Sequence, residues 1–178
     1  MAWAGLLSAG VVLLVYAAPE AARQGILHGE AYRQEMFGWI LTGHGKEVTP
    51  AAFVPEHLLH LGAFVLLAWA SGGYLGLVLG ALLMGYMSYF VGAFGAASGA
   101  PVAGAAAAWV PWSVVRVAAF VLLGTLFARP LLVRRRWPFG RRELRLMALA
   151  AAGIGGDLAL KTLSAPAYGR FLATLLGP

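Results

Sequence analysis

The sequence has no cysteine, which excludes disulfides, thiolate metal sites and cysteine nucleophiles. It is also poor in charge: 11% of its 178 residues are Asp, Glu, Lys or Arg, where an ordinary soluble domain has about 25%. With 61% of residues hydrophobic, a water-soluble chain of this length could not hide its apolar surface. The solvent it is built for is lipid. Long hydrophilic stretches are absent too, so no separate soluble domain is expected. No histidine follows His60, which leaves Ser98 in its glycine-rich setting without the later histidine an intramembrane serine protease would use. A phosphate-cradling glycine loop ending in Lys-Ser/Thr and a His-Glu-x-x-His pattern are both missing, removing ATP hydrolysis by this chain and zinc-protease chemistry.

What is present is organised around residues 129–145. Seven of the thirteen basic residues lie there, Arg129, Arg134, Arg135, Arg136, Arg141, Arg142 and Arg145, against one acid, Glu143. Apolar sequence flanks the stretch on both sides. A short arginine-rich connection between two apolar runs fixes membrane orientation, because such loops stay cytoplasmic. A nucleic-acid patch would need a soluble domain to carry it, so no nucleic-acid partner is expected.

The apolar runs predict an all-α, polytopic integral membrane bundle with about five transmembrane helices in a single domain, 1–178. A span needs about 20 residues. Candidates lie near residues 2–18, 55–71, 72–94, 112–128 and 144–163. The first resembles a signal peptide at Ala17 and Ala18, but no Lys or Arg precedes its apolar run, so a retained span is expected. Residues 19–50 form the one extended polar segment. Within it Ile26, Glu30, Arg33 and Phe37 recur at helical spacing, predicting an amphipathic helix on the membrane surface. Gly72, Gly76 and Gly80 make a small-residue stripe suited to close helix packing. Residues 95–111, rich in Gly and Ala, read as a tight connection dipping into the membrane under a cover of other protein. Residues 164–178 form a tail with a short apolar end.

With the arginine stretch inside, the N-terminus is cytoplasmic, and the 19–50 segment and the C-terminus lie outside an inner membrane. That topology places Glu56, His57, His60, Arg116, Asp157 and Lys161 in the outer half. Ionisable groups in hydrocarbon cost several kcal/mol unless paired or hydrated. The expected pairs are Asp157 with Lys161 at i, i+4, and Arg116 with Glu56 or Asp157. Three roles remain open for the cluster: a structural clamp, a solute or proton path, and a docking surface for an external partner. His57 and His60 offer a metal two ligands at most, and no second histidine-rich element exists. No metal or cofactor is expected.

Three stretches together resemble the stage II sporulation protein M family. They are Phe53 to Phe64 with His60 at the mouth of a span, Gly85 to Gly99, and Val110-Pro111-Trp112-Ser113 continuing through Ala119 to Gly124. The likeness covers most of residues 51–170. The sequence departs from the family pattern at Leu61, Met84, Trp112 and Arg116, where Asn, Lys, His and an acid are usual. The resemblance implies a non-enzymatic membrane component that anchors extracytoplasmic partners. On that basis a scaffold is the first expectation. A small transporter or permease subunit, dimeric or otherwise homo-oligomeric, is the alternative, favoured if the polar residues converge on a cavity that continues past the midplane.

Overall fold

The computed structural model describes residues 2–133 and 140–177, with side chains described except those of 128–133. Arg134, Arg135, Arg136 and the side chain of Arg129 lie outside the described residues. The described chain is an all-α bundle: α1 (Ala2–Ala17), α2 (Pro19–Gly25), α3 (Gly29–Thr42), a single 3₁₀ turn (Lys46–Val48), α4 (Pro50–Ala70), α5 (Tyr74–Ala97), α6 (Pro101–Ala108), α7 (Pro111–Val133) and α8 (Arg141–Leu176). Prolines open α2, α4, α6 and α7 at the position where a missing N–H costs nothing.

Three of these helices, α4, α5 and α8, are long and apolar enough to cross a membrane. The pair α6–α7, bent by 62° at its break, makes a fourth. At 16 residues α1 is shorter, about 24 Å at 1.5 Å per residue, so by length and composition three or four helices among the described residues are able to cross. One face of α4 leaves Leu59 70%, Leu66 65% and Trp69 67% exposed. A contiguous apolar stripe of this kind is uncommon on soluble monomers and suits lipid contact.

The central strut is α5. From Met84 to Gly95 nearly every residue is buried, because α1, α3 and α6 cover successive faces. Met84 clusters with Ala4, and a methyl added to Gly92 would lie 2.9 Å from Val15 Cβ, so α1 runs parallel to this half of α5. The other half turns back on α4. A methyl added to Gly76 would lie 2.6 Å from Ala68 Cβ, and one on Gly80 would lie 3.5 Å from Phe64. Gly72 is not part of that packing stripe: it sits before α5 with φ of 61°, a left-handed conformation that glycine adopts at least cost. Antiparallel α7 and α8 complete the bundle, with Ala119 against Gly153 and Phe64, Leu123, Phe127, Ala150 and Ile154 in one apolar cluster.

Two expectations change. The polar segment does not lay one amphipathic helix on a surface. It forms two helices, and Ile26 falls outside α3, so the predicted Ile26–Phe37 face does not exist. Instead Met36, Trp39 and Ile40 of α3 are buried in the main core with Phe90, Phe94, Trp112 and Leu172. The second change concerns residues 164–178, which continue α8 to Leu176. Pro166 removes only one backbone donor, and the helix is held beyond it by burial: Ala165, Gly169 and Leu172 pack inward, and a methyl on Gly169 would lie 3.1 Å from the Trp39 ring.

The α6–α7 break is also stabilised by side chains. Val110 and Trp112 are fully buried beside it. The Tyr168 hydroxyl donates to the Ala107 carbonyl at 2.8 Å, partnering one of the acceptors that the end of α6 leaves open. A backbone interruption among apolar helices needs such cover.

Candidate functional site

A polar cleft lies at the end of the bundle that carries α3 and the 3₁₀ turn. Asp157 is sixteen residues along α8 from Arg141, about 24 Å of helix, so the cleft lies far from the exposed Arg141, Arg142 and Arg145. Its walls come from α3 (Tyr32, Glu35), the 3₁₀ turn (Lys46, Glu47), α4 (Glu56, His57, His60), α5 (Tyr86), α7 (Arg116) and α8 (Lys161). Its volume is about 470 Å³.

Spacing explains the α4 contribution. Glu56, His57 and His60 fall within five residues, so His57 and His60 share a face while Glu56 stands at its edge. The Arg116 guanidinium grips Asp157 in a two-point fork, Nε to Oδ2 at 2.8 Å and Nη2 to Oδ1 at 3.0 Å. The Asp157 side chain is 1% exposed and that of Arg116 27%. Nη1 of Arg116 has no partner among the described residues. Paired forks of this kind are the strong form of a charged hydrogen bond. His57 Nε2 stands 4.0 Å from Asp157 Oδ2, too far for a hydrogen bond, and both its ring nitrogens are buried without a partner.

Lys161 does not pair with Asp157. Both carboxylate oxygens of Asp157 are occupied by Arg116, and Lys161, one turn further along α8, reaches the 3₁₀ turn. Its Nζ lies 2.9 Å from Glu47 Oε1 and 4.4 Å from the centroid of the Phe53 ring. A buried ammonium thus has both a counter-ion and a cation–π contact. Glu56 likewise does not meet Arg116. It lies 3.4 Å from Lys46, which also stands 3.6 Å from Glu35. The two carboxylates hold the Lys46 ammonium above its ordinary pKa, Glu35 contributing most. Burial pushes the Glu35 carboxyl up, opposed by Lys46 and reinforced by Glu56 and Glu47.

Of the six residues read from the sequence as one cluster, five line the cleft and Asp157 stands behind Arg116. Glu47, Glu35, Lys46 and Tyr32 were missed. A signal existed for Glu47: Lys161 needs an acid at its own depth, and Glu47 and Glu56 are the acids flanking the start of α4. Among the described residues no three His, Asp, Glu or Cys side chains are grouped to hold a metal ion.

A second, apolar cavity adjoins the cleft. Tyr32, His60, Leu83, Tyr86 and Arg116 belong to the walls of both. It runs between α5 and α7 past Met84, Val117, Gly80 and Val121 to Phe64 and Leu77, with Trp3 at its side. Leu77 is in the first turn of α5, so the space reaches to within a turn of the opposite end of that helix. There α4, α5 and α7 close on one another: a methyl on Gly124 would lie 3.2 Å from both Leu77 Cδ2 and Phe64 Cζ.

These features define a helical bundle with apolar, span-length helices and a polar cleft opening into an apolar cavity. Comparison with protein families, with curated proteins and with solved structures gives no match to this chain.

Proposed function

We propose that this chain is a small transporter or permease subunit of a cytoplasmic membrane, with the cleft facing outward and the arginine stretch in the cytosol. The observation that carries the reading is the shared wall of Tyr32, His60, Leu83, Tyr86 and Arg116, which joins the polar cleft to a space ending one turn from the far end of α5. A structural clamp needs ion pairs and no such continuation. Arg116 is held in place by Asp157, so a solute entering the cleft meets a fixed donor. The contact of Phe64, Leu77 and Gly124 acts as the closed inner gate.

The absence of cysteine makes the test direct. Leu83→Cys, in the shared wall, reacts with a charged, membrane-impermeant thiol reagent added from the α3 side and not from the other. Lack of reaction from either side, or equal reaction from both, contradicts the reading.

The scaffold remains the second reading, supported by the closure of two pairs: the Asp157 and Lys161 side chains are each 1% exposed. The resemblance to stage II sporulation protein M points the same way. Under that reading the exposed polar residues of α2 and α3 dock an extracytoplasmic protein.

A further inference from the structure

The cavity between α5 and α7 has two chemically distinct ends, and their junction specifies a ligand class. At the junction the free polar groups can each donate a hydrogen bond. Arg116 presents Nη1, and Tyr86 and Ser113 present hydroxyls with no protein partner among the described residues. Ser113 and Arg116 are three residues apart on α7 and so share a face. The Tyr86 ring is fixed against Tyr32, centroids 4.9 Å apart, and the Tyr32 hydroxyl is turned to Met87 Sδ at 3.2 Å. His60 completes this rim. No carboxylate lines the apolar cavity, and Asp157, which neutralises Arg116, stands behind it.

Below the junction the lining is Phe64, Leu77, Met84, Val117, Phe120 and Val121, without a charge. The volume is about 100 Å³, against ~150 Å³ for an engineered apolar cavity that holds one benzene. That is less room than one benzene takes, so the cavity admits a short single alkyl chain and excludes a ring system or paired acyl chains. From Tyr86 to Leu77 the cavity follows nine residues of α5, about 13 Å.

We infer that this space binds a single-chain amphiphile with an anionic oxygen head, a carboxylate or phosphate. The head lies on Arg116, Tyr86 and Ser113 and the chain lies between α5 and α7. The inference rests on the proposed function in taking the cleft as the entrance, and it names the class of solute. A carboxylate or phosphate oxygen accepts from Arg116 Nη1, which can only donate, and from the two hydroxyls, which can turn to donate. The uncharged wall beneath matches the chain.

The test uses the full chain in lipid nanodiscs and pentanoate bearing a diazirine on its chain. After photolysis, peptide mass spectrometry locates the adducts. They are expected on Met84, Phe120 or Val121, and to be suppressed by excess pentanoate but not by pentylammonium, pentanol or acetate. Tyr86→Phe and Ser113→Ala, which delete one oxygen each, lower adduct yield at least threefold. Gly80→Leu fills the cavity and abolishes it; a methyl at Gly80 meets only Phe64, at 3.5 Å, so the helix accepts a side chain there. An unchanged melting temperature in the two oxygen-deletion variants shows that they remain folded. Adducts spread over the lipid-facing Leu59 and Leu66, or equal suppression by pentanol, would overturn the inference. Equal suppression by acetate would overturn it too, identifying a site for free anions. Reaction of Leu83→Cys without site adducts rejects the ligand alone; failure of Leu83→Cys to react rejects the entrance.

Discussion

Arg116 and Asp157, 41 residues apart, meet in a two-bond fork that joins α7 to α8 where both helices pass the polar cleft. The carboxylate is buried and the guanidinium half-turned to the cleft, so the pair is at once a cross-brace and part of a binding wall. Removing one partner is expected to cost much more than removing both. Asp157→Leu leaves Arg116 uncompensated and lowers stability by about 3 kcal/mol. The double variant Arg116→Met, Asp157→Leu recovers most of that. Thermal unfolding in detergent of the two single variants and the double variant measures it; strict additivity would show that the fork carries no coupling.

Packing between α4 and α5 depends on one glycine. Gly76→Ala places a methyl 2.6 Å from Ala68 Cβ and 3.1 Å from its Cα, and the forced separation of the helices costs about 1–3 kcal/mol. Gly155→Ala meets open space and is expected to gain about 0.5–1 kcal/mol from helix propensity. Opposite signs for the two substitutions in the same unfolding assay check this. A neutral Gly76→Ala would mean the two helices are not in contact there.

Much of this fold was legible in the sequence, and the exceptions share a cause. Apolar runs mark α4, α5, α7 and the first part of α8 because their exposed and buried faces are both apolar. Arg116 finds Asp157, one of the two partners its depth allowed. Three features were hidden. α3 is polar overall, and only the docking of Met36, Trp39 and Ile40 shows that it belongs to the core. Pro166 suggests a helix end, yet Gly169 packing on Trp39 carries the helix through. Glu47 sits in a short turn with no periodicity, and its role appears only when the turn lies against Lys161.

Acid should loosen α3 before the rest of the bundle. Two hydrogen bonds from Arg33 hold the Glu30 carboxyl down at about 2, from an ordinary 4.5, with Gln34 and the Tyr89 hydroxyl also donating. A depressed carboxyl pKa contributes stability that is present above 4.5 and lost as pH falls through about 2. The melting temperature is expected to fall across that window, and Glu30→Gln should flatten the fall. An identical pH profile in the variant would remove Glu30 from the account.

The break between α6 and α7 is expected to depend on one hydroxyl. Tyr168→Phe leaves the Ala107 carbonyl without its donor, a loss of about 1–3 kcal/mol if the acceptor stays dry. Hydrogen exchange at residues 108–113 should rise in the variant while α4 stays protected. Unchanged exchange at the break would show that the carbonyl is satisfied by another route.

The central claim is that the cleft and the arginine stretch lie on opposite faces of a bilayer. Single cysteines at Ala31, exposed at the cleft mouth, and at Leu144, exposed beside the arginines, report on it without background. In intact cells an impermeant thiol reagent should label Ala31→Cys and spare Leu144→Cys, and in inverted membrane vesicles the order should reverse. Labelling of both positions from the same face would contradict the account.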